Sequence, residues 1–181
     1  MARAAAIADD AQFVTLGIER ELFAVPVEAV VEILDMRPAF RIPEAPPYLL
    51  GLIDVRGRGV PVVDLRIKLG LPPAPPGEST RILVLDIPIA GRNLALGLVA
   101  DRVYEVATLN RHEIEPPPEI GVRWRSDYIH GVGRRGDGFV IIFDLSRLFS
   151  AEETALLGAP AGAGASVSGA EAEAALAHDA A

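Results

Sequence analysis

Along this chain the apolar positions change period every few residues, and the short runs they form read as strands. Phe13 to Ile18 (FVTLGI) and Leu22 to Val27 (LFAVPV) are two such runs, separated by Glu19-Arg20-Glu21 at the spacing of a hairpin. Val27 to Leu34 (VEAVVEIL) then sets Val27, Val30, Val31 and Leu34 at i, i+3, i+4 and i+7, which periodicity leaves as a short helical face or the edge of a strand. Leu52 to Val55 and Val60 to Val63 flank Arg56-Gly57-Arg58-Gly59, whose glycines admit the positive φ of a tight turn and predict a second hairpin. Pro72 to Gly77 removes backbone donors and reads as a semi-rigid connector at which the body divides. Beyond it, Arg81 to Ile87, Leu94 to Val99, Val103 to Val106 and Gly138 to Phe143 are again short β runs, and stretches such as Ser146-Arg147-Leu148 leave room only for small helices.

Sliding the chain on itself exposes an internal repeat. A shift of 80 residues lays Tyr48, Gly51, Val60, Asp64 and Leu65 on Tyr128, Gly131, Val140, Asp144 and Leu145. A shift of 73 lays FAVPVEAVVEI (Phe23 to Ile33) over LGLVADRVYEV (Leu96 to Val106), with Val30 on Val103 and Glu32 on Glu105. Both halves therefore read strand, helix-like turn, Tyr-x-x-Gly, glycine hairpin, apolar strand, Asp-Leu, the pattern of two related small β-barrels packed together. In each half an Asp stands between the last apolar strand and a short helical spacing, so Asp64 and Asp144 are expected as N-caps that accept from otherwise unpaired backbone N–H groups.

Composition narrows the setting. Among 181 residues half are apolar, which supports one domain or two small ones with a real core, and the formal net charge is −8. With no Cys, disulfides, Cys-ligated metal sites and thiol nucleophiles are excluded. Ala4 to Ala8 is stopped by Asp9 and Asp10, too soon for a signal peptide, and Leu94 to Ala100 is far short of the roughly 20 apolar residues that span a bilayer. The expectation is a cytoplasmic protein with no direct membrane insertion. Residues 1–11 and the Ala- and Gly-rich stretch Gly158 to Ala181 are expected to be disordered, although Ala170 to His178 is a marginal helix former. The remaining body, 12–157, is nearly balanced in charge and offers no footprint for nucleic acid.

Reactive constellations are sparse. His112, His130 and His178 fall in no metal-ligand spacing, and Ser79, Ser126 and Ser146 have neither a nucleophile-elbow motif nor an assignable base. IHGVGRRGDG (Ile129 to Gly138) is glycine-rich without the strand, GxGxxG and helix order of a dinucleotide site. No cofactor and no catalytic residue is nominated. A small-ligand β-barrel would need a pocket with convergent polar groups that no motif identifies.

The order FVTLGIERELFAVPVEAVVEIL, PYLLGLIDVRGRGVPVVDLRIKLGL, ALGLVADRVYEVATLNRHEI, YIHGVGRRGDGFVIIFDLSRLF resembles the CheW-type coupling proteins of bacterial chemosensory systems over nearly all of Gln12 to Leu157. The resemblance implies a mainly β fold of two pseudo-repeated, intimately packed, five-stranded SH3-like barrels with short helices. It further implies a non-catalytic adaptor that bridges the cytoplasmic tips of methyl-accepting chemoreceptors and the regulatory domain of a CheA-type histidine kinase. The same scaffold role in a twitching, surface-sensing or second-messenger pathway is the alternative. By resemblance, Val27, Val30, Glu32, Ile33, Gly51, Arg56 and Val99 lie on or near the receptor-binding groove, with barrel core as the other reading of the four apolar ones. The family's Asn-x-Arg-Gly turn stands here as Asp54-Val55-Arg56-Gly57, and Asp54 is expected to pair with Arg56 or Arg58 or to favour a different receptor.

Overall fold

The first alternating stretch forms the expected antiparallel pair. Strands β1 (Asp10–Ile18) and β2 (Glu21–Pro26) are joined by Glu19-Arg20 alone, with Glu19 at φ 55°. This is a computed structural model, and it describes residues 10–89, 91–117 and 127–158. The ambiguous stretch after β2 divides between both alternatives. A single 3-10 turn, Val27–Ala29, leads into β3 (Val30–Asp35), where burial alternates residue by residue. The second hairpin pairs β4 (Leu49–Val55) with β5 (Arg58–Asp64) across Arg56-Gly57, both at positive φ, as a two-residue turn between right-twisted strands requires.

Asp64 accepts from the N–H of Arg66 at 2.9 Å and starts α1 (Leu65–Lys68). Burial pushes the Asp64 carboxyl up from its ordinary pKa, against the two backbone donors that hold it charged. The chain then runs through the proline connector into β6 (Arg81–Ile89), β7 (Arg92–Ala100), β8 (Arg102–Asn110) and the two-residue β9 (Ile114–Glu115). It closes with β10 (Ile129–Arg135), β11 (Gly138–Phe143), a 3-10 turn Leu145–Arg147 capped by Asp144, and α2 (Ala151–Gly158). Asp10 and Ala11, expected in the N-terminal segment, pair with Asn110 and Leu109, and Gly158, expected in the tail, closes α2. Residues 1–9 and 159–181, with Ser126 and His178, lie outside the described residues.

The strands form two curled sheets, ordered β8-β1-β2-β11-β10-β9 and β3-β6-β7-β5-β4. The connector does not divide them, contrary to the sequence expectation. Each half of the chain donates its leading hairpin to the other half's sheet: β1–β2 joins β8, β10 and β11, while β6–β7 joins β3, β4 and β5. The physical reason lies in the parallel contacts, β2 on β11 and β7 on β5, which a chain cannot make with its immediate neighbour through a tight turn.

The repeat holds in detail. β4 and β10 share one burial pattern, and both hairpins carry an irregularity at the same place, between Leu49 and Gly51 and between Ile129 and Gly131. The N–H of Asp64 donates to Tyr48 and that of Asp144 to Tyr128, each at 2.7 Å. Val62 faces Gly97 just as Ile142 faces Ala24, the pairs related by the shifts of 80 and 73.

The main core joins the sheets rather than filling one of them: Leu16, Ile18 and Phe143 pack with Leu83, Leu85, Leu96 and Leu98. Outside it, Lys68 Nζ lies 2.6 Å from Glu153 and above the rings of Tyr48 and Phe149, fastening α2 to α1. Ser150 and Glu153 cap α2 reciprocally. Burial opposes the charge on Glu153, but Lys68 and the Ser150 N–H outweigh it and hold its pKa at about 2, while burial and Glu153 together raise the Tyr48 phenol. A carboxylate depressed in this way stabilises the fold fully above its unfolded pKa and progressively less as pH falls toward 2. Glu153→Gln should cost about 1–2 kcal/mol at pH 7, a difference that shrinks in denaturant titrations as pH falls below about 4.5 and is lost as pH passes through about 2.

Candidate functional site

β3 is the exposed edge of its sheet, and its alternation decides what it shows. Val30, Glu32 and Leu34 turn toward the core, and Val31 and Ile33 turn to solvent, 59% and 45% exposed. Val27, on the 3-10 turn just before β3, is half-buried and packs with Val30 against the main core. Opposite them in the sheet order stands the β4–β5 turn, yet Arg56 reaches within 3.6 Å of Glu32 Oε2. That approach shows how far the sheet curls, since Glu32 and Arg56 come from opposite ends of a five-stranded order. The Arg56 side chain is 81% exposed, so its guanidinium faces solvent beside the apolar edge. Glu32 Oε2 is buried and receives no hydrogen bond, the ion pair being longer than one.

Asp54 pairs with neither arginine. Its carboxylate accepts from the Gly57 N–H at 2.7 Å and so fixes the turn that presents Arg56. Gly51 is buried at φ 140°, where a Cβ would lie 2.1 Å from the Phe40 carbonyl oxygen. It makes room for the bridge in which Phe40 and Leu52 exchange backbone hydrogen bonds. Val99 packs in a second core cluster with Ile53, Val62 and Ile82. Of the seven residues expected at the site, Ile33 and Arg56 are therefore exposed, Val27, Val30 and Glu32 lie half-buried beneath them, and Gly51 and Val99 are buried.

Val31 and Phe40 are exposed apolar residues beyond those seven. Val31 becomes visible once the edge is read as a strand, because it shares the outward phase of Ile33; Phe40 is exposed in a connection without periodicity. Near Phe40, an open cleft of ≈ 450 Å³ is lined by Met36, Arg37, Arg41, Leu50, Val62 and Pro76, with two arginines as its only charged walls. Ser146 Oγ donates to Asp144 and completes its cap, which leaves that hydroxyl a structural task. Among the described residues no group of three His, Asp or Glu side chains stands ready for a metal, and no helix is long and apolar enough to cross a membrane.

The chain is similar to known proteins over most of its described length. The CheW-like domain profile matches residues 12–153. Chemotaxis protein CheW of Klebsiella aerogenes is 31% identical over 146 residues, covering 81% of this chain and 86% of that protein. The protein of the same description from Treponema pallidum is 28% identical, covering 78% and 84%. The crystal structure of the scaffolding protein TtCheW from Thermoanaerobacter tengcongensis superposes with a TM-score of 0.69 at 28% identity, over 79% of this chain and 94% of that one.

Proposed function

The chain belongs to the CheW-like domain family, and from that premise we propose that it is a chemosensory adaptor, without catalysis of its own, that couples chemoreceptors to a CheA-type histidine kinase in the cytoplasm. The kinase's regulatory domain and the cytoplasmic tip of a methyl-accepting receptor are its two partners. The observation that carries the receptor contact is the pairing of an exposed arginine, fixed by the Asp54 turn, with an apolar strand edge carrying Val31 and Ile33. An amphipathic helix laid on that edge would cover the apolar pair and set a carboxylate against Arg56.

Titration against a receptor-tip fragment and against the kinase regulatory domain tests the reading. Arg56→Glu is expected to weaken receptor binding at least tenfold, leave kinase binding unchanged and leave the melting temperature within about 2 °C, because the side chain is solvated and its ion pair is long. Unchanged receptor affinity would remove Arg56 from the contact. Failure to bind either partner would overturn the adaptor assignment.

A further inference from the structure

A pocket with convergent polar groups is what no sequence motif identifies, and the open cleft near Phe40 supplies one. Its floor is Leu50 and Val62, from the paired strands β4 and β5, and it opens from the apolar cluster that Val62 shares with Ile53, Ile82 and Val99. Met36, just past β3, and Pro76, in the proline connector, add two more apolar walls. Arg37 and Arg41 converge on it, both exposed, and no carboxylate among the described residues pairs with either. Asp35, the acid next to them in the chain, is turned to Arg81 at 3.3 Å. The backbone that carries Arg41 is fixed from below. Gly51 at φ 140° lets Phe40 and the Arg41 Cα lie directly on β4, and Phe40 then exchanges two hydrogen bonds with Leu52. The same close approach recurs at Gly131, where Ile114 and Glu115 cross it. With Glu115 as the counterpart of Phe40, His112 and Pro116 stand where Arg37 and Arg41 do, so the repeated fold does not itself require the two arginines.

We propose that this cleft is a binding site for a small phosphate monoester with a flat apolar body, the class of a nucleoside monophosphate. The phosphate lies between Arg37 and Arg41, whose planar forks match its oxygens, and the base lies on Leu50 between Met36 and Pro76. A volume of ≈ 450 Å³ falls within the roughly 300–1,000 Å³ of small-ligand sites. One face of the ligand stays in water, so affinity is expected to be micromolar rather than nanomolar. A strained glycine that seats a charged wall is backbone strain placed at a site. The proposal goes beyond the adaptor reading and does not depend on which partners the chain couples.

Calorimetric titration of the full chain with AMP and with GMP tests it, with adenosine and inorganic phosphate as separate arms. One nucleotide per chain is expected, with adenosine and phosphate each bound at least tenfold more weakly, since each fills half of the cleft. Arg37→Ala and Arg41→Ala should each weaken nucleotide binding at least fivefold, and the double variant should abolish it, whereas Arg→Lys at either position keeps part of the affinity. Both side chains are exposed, so the melting temperature without ligand should stay within about 2 °C of the parent and confirm an intact fold in each variant. Added nucleotide should raise the melting temperature of the parent and not that of the double variant. Equal affinity in the parent and the double variant would place the ligand elsewhere and overturn the site. Phosphate binding as tightly as AMP would reduce it to a bare anion site, and adenosine binding as tightly would remove the arginines from it; both overturn the proposal. So would the absence of binding by either nucleotide at millimolar concentration. Loss of kinase-domain binding in the double variant, with no nucleotide bound by the parent, would give the cleft to the kinase instead.

Discussion

Gly51→Ala is expected to cost about 3 kcal/mol or more, and to lower the melting temperature by roughly 6–12 °C. At φ 140° an L side chain is strained wherever space allows, and here there is none, since the added Cβ would fall 2.1 Å from one backbone atom of Phe40 and 2.7 Å from the next. Backbone cannot step aside as a side chain can, so the Phe40–Leu52 bridge must break or β4 must shift. The repeat supplies its own controls. At Gly131 the nearest obstacles are the Ile114 Cγ2 at 2.6 Å and the Glu115 carbonyl at 2.9 Å, so part of the clash is with a movable methyl. Gly57, at φ 80° with nothing within 4 Å, should cost only about 1 kcal/mol on replacement by Ala. Thermal or denaturant unfolding of the three variants should therefore rank Gly51, Gly131, Gly57 in falling cost. A Gly51→Ala protein as stable as the parent would show that the chain does not pass Phe40 so closely. Because the site turn lies five residues beyond Gly51, binding defects at this position will be inseparable from folding ones, unlike those at Arg56.

Phe143→Ala should cost about 3–5 kcal/mol and weaken both sheets equally. The ring is 2% exposed, stacks on Phe23 at 4.9 Å with 3° between planes, and meets Tyr128 at 6.0 Å. Its neighbours in the main core include Leu83, Leu85, Leu96 and Leu98 from the other sheet. With so much apolar surface held jointly, the two barrels have little core to keep each folded alone. Protection against amide exchange should fall by the same free energy in β4–β5, which lies in the other sheet, as in β10–β11. A drop confined to the sheet of Phe143 would mean that the barrels unfold separately.

Much of this architecture is legible in the chain, and the limits have physical causes. The hairpins are written in alternation and turn chemistry, and Asp64 and Asp144 cap as their positions require. The repeat is visible as identities at fixed spacing, yet equivalence does not name partners: nothing in β1–β2 says that it will pair with strands more than eighty residues away. The connector reads as a boundary because proline interrupts local structure, whereas the sheets are built from contacts that ignore it. Val99 could be core or contact by its type alone, and only the opposing Val62 and Ile82 decide for core. The joining of Lys68 to Glu153, 85 residues apart, leaves no periodic trace.

The exchanged hairpins set an order of events on the ribosome. β1–β2 is made first, but its outer strand waits for β8 and its inner strand for β11, so β2 keeps an open edge until Val140 to Ile142 has been synthesised. At about 5–20 residues per second that wait lasts on the order of ten seconds. The other sheet has all its strands once Ala100 has emerged. The nascent chain therefore holds every strand of one sheet while the apolar edge of β2 still lacks its partner, and that edge is the stretch open to pairing with a neighbouring chain in the interval.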